Sequence, residues 1–286
     1  MSNNPHKSIL LTGANGFIGS HLFSYLNILN TQVRVLIRNN KSNVSLLDGS
    51  SVKKYCLQNK IKTIAHLASM VKRIKSDEDI CNEINMAVNL ISSLESGGKF
   101  IYFSSADVYE NSLDILCEHS LISPVNMYAK AKFETELALQ KVADMNDIEL
   151  IILRPSLVYG SGVPKGMFLY DLKQSLIEGK TFFYSSSTIT RDFIHVNDVV
   201  KAVAKIIRHH EFIGGIYNLS TGIGNSLSNI VEITKEISKR DFLVDRDKLK
   251  GSPSSLILNP GKLEKTIKWR PSMQIEKGLK DFFYDE

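Results

Sequence analysis

Tyr128 and Lys132 stand four residues apart in Met127–Ala143, a stretch whose spacing predicts a helix, so their side chains share one face about one turn apart. Free tyrosine ionises near pH ~10, and an ammonium close by favours the tyrosinate. Such a pair can exchange a proton with an alcohol or a ketone near neutrality. Tyr-x-x-x-Lys also recurs by chance in surface helices, so it gains weight only from its company. Ser105 supplies some of that company. It lies just past a predicted strand, Phe100–Ser104, and strand C-termini open on to the binding crevice of a doubly wound sheet. Its hydroxyl can hold the oxygen that Tyr128 protonates.

A second group of residues points to what the crevice holds. Thr12-Gly13-Ala14-Asn15-Gly16-Phe17-Ile18-Gly19 follows an apolar run and opens a predicted helix, the setting that turns a glycine pattern into a dinucleotide site. Gly13 allows the tight turn, Gly16 lets backbone approach a diphosphate, and Gly19 lets the helix pack against the strand. The diphosphate then sits at the positive end of the helix. Asn15, Phe17 and Ile18 complete the candidate cofactor loop. Where the second strand ends, an acid normally binds the adenosine ribose of NAD. This chain has Ile37 and Arg38 there, with Lys41 nearby. A guanidinium suits a 2′-phosphate, so NADP(H) is favoured and NAD(H) is the alternative.

The elements that position these residues read as α/β. Ile9–Thr12, Val33–Arg38, Thr63–Leu67, Phe100–Ser104 and Leu150–Arg154 are apolar, largely β-branched runs, as strands covered on both faces should be. Between them Ser20–Leu29, Ser51–Gln58, Ile80–Leu94 and Met127–Ala143 read as helices. The alternation predicts a Rossmann doubly wound parallel sheet over residues 1–155. After Pro155 the pattern loosens around Gly160, Gly162, Pro164 and Gly166, and residues 156–286 read as a smaller C-terminal lobe. Part of 190–212 is assigned as an alternative to the first domain.

The bulk composition sets the limits. A chain of 286 residues with 43% hydrophobic content can bury a sizeable core. Its net charge of +5 is scattered rather than gathered in a tail, which argues against a nucleic-acid partner. Three cysteines without CxxC spacing suggest neither a disulfide framework nor a metal site, and a reducing cytoplasm is the expected compartment. Met1–Lys7 lacks the apolar core of a signal peptide, and no apolar stretch is long enough to span a bilayer.

Further along, His66-Leu67-Ala68, Asn85, Phe103-Ser104-Ser105-Ala106-Asp107-Val108-Tyr109 and Arg154-Pro155-Ser156-Leu157-Val158-Tyr159-Gly160 follow in order. Arg191-Asp192-Phe193-Ile194-His195-Val196-Asn197-Asp198, Asn218-Leu219-Ser220-Thr221-Gly222 and Trp269-Arg270-Pro271 continue the series. With the glycine loop and Tyr128-x-x-x-Lys132, these motifs resemble, nearly end to end, the extended short-chain dehydrogenase/reductases that act on nucleotide sugars. The resemblance implies a triad of Ser105, Tyr128 and Lys132, with Tyr128 the acid/base and Lys132 holding the nicotinamide ribose. It also implies that Leu67 and Ala68 line the cofactor site, and that Ser105, Asp107 and Arg191 meet the substrate, Arg191 at its diphosphate. His195 and Asp198 look structural.

Departures from the family pattern narrow the function. Ser45 stands where a carboxylate often meets adenine, Leu157 where an asparagine often reaches substrate, and Gly251–Ser255 lacks a phosphate-binding arginine. Asp107 stands where dehydratases resemble one another in carrying a glutamate, which argues against dehydration. The expected activity is NAD(P)H-dependent reduction of a nucleotide-linked 4-keto(-6-deoxy) hexose, with an NAD-dependent nucleotide-sugar 4-epimerase as the alternative and a non-catalytic NADP-binding module behind both. Apolar positions on more than one face of Ile80–Leu94 and Met127–Ala143, together with the resemblance, imply a homodimer. The cofactor assignment is checked by titration: Arg38→Ala should weaken NADPH binding about tenfold, less so at high salt, and leave NADH nearly unchanged. Equal affinities of the parent protein for the two cofactors would overturn it.

Overall fold

In the computed structural model, which describes residues 8–36, 44–70, 74–185, 189–239, 244–247 and 254–284, the five apolar runs become strands. They are β1 (Ser8–Thr12), β2 (Val33–Leu36), β3 (Ile61–His66), β4 (Lys99–Phe103) and β5 (Glu149–Pro155). Helices α1 (Phe17–Ile28), α2 (Gly49–Gln58), α3 (Asp77–Ile91) and α4 (Met127–Asn146) connect them. Next come β6 (Leu157–Tyr159), α5 (Phe168–Glu178), β7 (Phe182–Ser185), β8 (Ile189–His195), α6 (Val196–Ile207) and β9 (Gly215–Leu219). The chain closes with β10 (Gly224–Ser226), α7 (Leu227–Ser238), β11 (Val244–Asp247), β12 (Ser254–Leu256), α8 (Gly261–Ile267) and α9 (Ile275–Tyr284).

The main sheet has the order β2-β1-β3-β4-β5-β9, and β1 to β5 pair parallel. The chain leaves β1 to one side for β2 and returns to its other side for β3. That reversal opens a crevice beyond the C-terminal ends of β1 and β3, the place where doubly wound sheets bind ligands. Leu10, Ile64, Phe100 and Ile152 on the strands pack with Val52, Leu90 and Leu139 on the helices, so the sheet is covered as its apolar runs require.

Helix boundaries follow their caps. A reciprocal pair of hydrogen bonds between Ser76 and Asp79 starts α3 at Asp77, three residues before the periodicity alone suggests. Asn126 accepts from the Ala129 N–H and starts α4. The buried stripe of α3 runs through Ile80, Glu83, Ala87 and Leu90. Asn85 is exposed instead.

The chain divides into two compact units, one of Met1–Glu110, Leu121–Arg154 and Val200–Tyr217, the other of Asn111–Ser120, Pro155–Val199 and Asn218–Glu286. In the second, β8 pairs with β10, β12 and β6. Asp192 on β8 is fully buried; it accepts from the Thr221 N–H at 3.0 Å, the Gly222 N–H at 2.8 Å and the Ser156 hydroxyl at 3.2 Å. Asp198 accepts from the Ser272 and Met273 N–H groups at 3.0 and 2.8 Å. These two aspartates tie separate loops into one body.

In the first unit, Arg154 at the end of β5 and Glu136 on α4 form a buried two-pronged ion pair, with Nε–Oε1 at 3.0 Å and Nη2–Oε2 at 2.5 Å. The Ser104 hydroxyl donates to the same carboxylate. The arginine also lies over the Tyr109 ring, 4.7 Å from its centre. This cluster fixes the ends of β4 and β5 against α4, one turn beyond Lys132. Removing one partner leaves a buried charge alone, so Glu136→Gln should cost about 3 to 5 kcal/mol in urea unfolding, while Glu136→Leu with Arg154→Met should lose less than either change by itself. A Glu136→Gln loss under about 1 kcal/mol would contradict this role.

Candidate active site

The glycine loop meets the turn after β3 without room for side chains. Gly13 has φ +78°, and a Cβ on it would stand 2.6 Å from the Ala68 nitrogen. A Cβ on Gly19 would stand 2.0 Å from the Gly13 carbonyl oxygen, so the start of α1 is pressed on to the loop. Gly16 begins α1 in an extended conformation, and no side chain caps its first turn. Asn15 and Gly16 are exposed, and Phe17 and Ile18 are half-buried. An uncapped helix start behind a glycine turn has the form and partial charge that a diphosphate fits. Leu67 and Ala68 run alongside it, half-exposed. Ile37, Arg38 and Lys41 lie outside the described residues.

Ser105 follows β4 and caps a short 3-10 turn, Ala106–Val108, by accepting from the Asp107 N–H at 3.1 Å. Its hydroxyl also lies near enough to the Tyr128 phenol to work towards a lower pKa there. Of the two roles open to Ser105, the turn cap is the one seen in the structure. Tyr128 is half-buried. Burial raises its pKa above the ordinary tyrosine value, the charges of Asp107 and Glu83 raise it further, and Ser105 pulls the other way.

Lys132 does not lie against the phenol oxygen. Its ammonium, on a side chain 3% exposed, pairs with the Glu83 carboxylate at 3.2 Å, 5.0 Å from the Tyr102 ring centre and 5.9 Å from that of Tyr128. Glu83 is 0% exposed and accepts from the Met70 N–H at 2.9 Å. Burial works to raise the Glu83 pKa, but Lys132 above all, with smaller contributions from neighbours that include the Met70 N–H, outweighs it and holds the carboxyl below its ordinary value. The resemblance assigns Lys132 to the Tyr128 pKa and to the nicotinamide ribose; the structure also gives the ammonium a carboxylate partner from α3, and Asn85, marked by the motif series, is exposed.

His66 ends β3 beneath the same group. Its Nδ1 and the Thr12 hydroxyl share a hydrogen bond at 2.7 Å, and the ring stacks on Tyr102 at 6.0 Å. Burial lowers its pKa to about 4, so it is neutral near pH 7.

In the second unit, Arg191 on β8 donates to the Thr190 and Ser254 carbonyls at 2.8 and 3.1 Å and to the Ser254 hydroxyl at 3.2 Å. Asp192 turns to other partners, so an Arg191–Asp192 ion pair is not what occupies either. His195 is buried, edge-on to Tyr159 at 5.1 Å. Asp107 is exposed.

Comparison with known proteins decides the family. Residues 9–220 match the model of the NAD dependent epimerase/dehydratase family. The chain belongs to that family. A UDP-glucose 4-epimerase of Pasteurella multocida is 25% identical over 97% of this chain and 96% of its own. A GDP-6-deoxy-D-mannose reductase of Pseudomonas aeruginosa is 23% identical over 98% and 97%. Among solved structures, a Thermotoga maritima UDP-glucose 4-epimerase with UDP-glucose superposes with TM-score 0.83 at 22% identity, covering 96% of this chain and 97% of that one. RMD from Pseudomonas aeruginosa, complexed with NADPH, gives 0.82 at 22%, covering 98% of both. The family carries NAD(P)-dependent enzymes, as the sequence motifs imply.

Two residues beside the family's tyrosine and lysine escape the sequence reading. Glu136 sits four residues after Lys132 on the same stripe of α4, and Glu83 occupies a position of α3 whose neighbours three before and four after, Ile80 and Ala87, are apolar. A carboxylate within a buried stripe is the readable sign of an internal partner. One consequence is testable through His66. Its native pKa lies below the ordinary 6.5, so its contribution to stability is whole above pH 6.5 and falls as pH drops towards 4, where only the unfolded chain takes the proton. Between pH 7 and about 4.5 the parent protein should lose about 2 to 3 kcal/mol more unfolding free energy than His66→Asn. Parallel losses would show that His66 is not held neutral.

Proposed function

We propose that this protein is an NAD(P)H-dependent reductase of a nucleotide-linked 4-keto or 4-keto-6-deoxy hexose. The observation that carries this reading is the state of Tyr128: burial, Asp107 and Glu83 all keep its hydroxyl protonated, and ketone reduction calls for an acid at that place. The glycine loop from Gly13 to Gly19 and the start of α1 hold the cofactor diphosphate, Leu67 and Ala68 flank it, and Lys132 reaches its ribose. The nicotinamide supplies a hydride. Ser105 holds the substrate carbonyl oxygen by a hydrogen bond, and Tyr128 delivers the proton to that oxygen. Arg191 offers a planar guanidinium to the substrate diphosphate, with Asp107 turned to the sugar. NADP(H) is the preferred cofactor on the strength of Arg38; among similar structures, RMD from Pseudomonas aeruginosa is complexed with NADPH and the Thermus thermophilus UDP-glucose 4-epimerase with NAD. The lobe that carries Arg191 takes the nucleotide sugar, and α3 with α4 forms a homodimer interface, where Leu137 leaves an apolar side chain 44% exposed.

A second reading, nucleotide-sugar 4-epimerase, draws on UDP-glucose 4-epimerases from Pasteurella multocida and Caenorhabditis elegans at 25% and 27% identity. There Tyr128 would act first as a base and would need the charge of an oxidised nicotinamide to overcome its raised pKa. The experiment is to mix the protein with NADPH and dTDP-4-keto-6-deoxyglucose and follow cofactor absorbance and the sugar product. Steady NADPH consumption is expected. Tyr128→Phe should lose it by about 100-fold or more with cofactor affinity kept, and Lys132→Met should lose both. Near-parental turnover by Tyr128→Phe would end the proposal.

A further inference from the structure

Lys132 has one charge and a buried partner that the catalytic scheme does not use. We propose that Glu83 is a positioning residue of this site, whose buried carboxylate holds the Lys132 ammonium on the α4 face beside Tyr128 and sets the net charge that the tyrosine meets. This rests on the assignment of Tyr128 as the proton donor.

Three observations carry it. Glu83 and Lys132 are 0% and 3% exposed, so neither charge is screened by water, and each is stable there only through the other. The carboxylate is anchored from two sides: Oε1 takes Lys132 at 3.2 Å, and Oε2 takes the Met70 N–H at 2.9 Å. Lys132 carries three N–H donors, of which Glu83 engages one, leaving the others for a ribose. Held this way, the ammonium has its reach fixed before any cofactor arrives. Replacing the carboxylate by a neutral amide would keep a hydrogen-bond acceptor but leave Lys132 uncompensated, and the surroundings of Tyr128 would change by one full charge.

Among the described residues, the ionisable groups of this site are Lys132 and Glu136 on α4, Glu83 on α3, His66 on β3, Tyr102 on β4 and Asp107 in the turn after β4. His66 and Tyr102 stay neutral, the first with its pKa lowered and the second with its pKa raised by burial. Glu136 is committed to Arg154. Among the described residues, Glu83, Lys132 and Asp107 therefore set the local field, and removing the Glu83 carboxylate takes their net charge from negative to zero.

The test follows Tyr128 itself, in protein carrying tyrosine labelled with 13C at Cζ, the Tyr128 resonance being assigned by its loss in Tyr128→Phe. In Glu83→Gln the phenol should begin to ionise about one pH unit or more below the parent protein. The basic limb of turnover should move down by the same amount, and the Kd for NADPH should rise because the ammonium is no longer held. If Glu83→Gln does not fold, Glu83→Gln with Lys132→Met removes both charges, and Tyr128 should then titrate within about half a unit of the parent. An unmoved phenol in Glu83→Gln, or a clear upward shift in the double variant, would overturn the proposal. Because the resonance is read without substrate, a protein inactive on every nucleotide-linked ketose would refute the reductase reading and leave this result standing.

Discussion

An ammonium cannot be taken out of water without a partner, and the placement of Lys132 governs this half of the molecule. A buried lysine needs an opposite charge, aromatic faces or hydrogen-bond acceptors to remain charged. The chain meets that need from separate elements: Glu83 comes from α3, the Tyr102 ring from β4 and the Tyr128 ring from the preceding turn of α4. Each contact obliges its element to pack where it does. The Arg154–Glu136 pair one turn further along α4 repeats the arrangement with the signs exchanged, so the helix that carries Tyr128 is held by two buried ion pairs rather than by apolar packing alone.

The same pairing explains the chemistry favoured here. A lone ammonium would draw Tyr128 towards tyrosinate, but one matched by Glu83 has little charge to spare, and Asp107 adds a negative one. The phenol keeps its proton, the starting state in which an oxygen could take that proton as its carbon receives a hydride. Oxidation of an alcohol would need the reverse starting state. The family contains both kinds of enzyme, so the fold does not separate the two readings.

Much of the fold is legible in the sequence because both-face burial leaves an unbroken apolar record. The runs at Ile9–Thr12 and Phe100–Ser104 mark β1 and β4 to within a residue at either end. The glycine loop is legible for a steric reason, since at Gly13 and Gly19 any Cβ collides with backbone. Glu83 is harder to see. Charged residues on helices are ordinarily taken as a solvent face, and attention goes to Asn85, which lies about 200° further round α3 and faces water. Residues 111–120 group with the second unit, and no local pattern announces such a return, because it depends on pairing between Leu116 and the distant Leu258. The basic pair Arg38 and Lys41 rests on sequence alone.

Tracing one hydrogen tests the central claim most directly. The protein would be incubated with NADPH deuterated on the transferable face of nicotinamide C4 and a nucleotide-linked 4-keto-6-deoxyhexose, and the sugar analysed by mass spectrometry and proton NMR. The account predicts one deuterium per product molecule, located at sugar carbon 4, with one NADPH consumed for each. Interconversion of UDP-glucose and UDP-galactose with no deuterium drawn from added cofactor, and no reduction of the keto sugar, would contradict it.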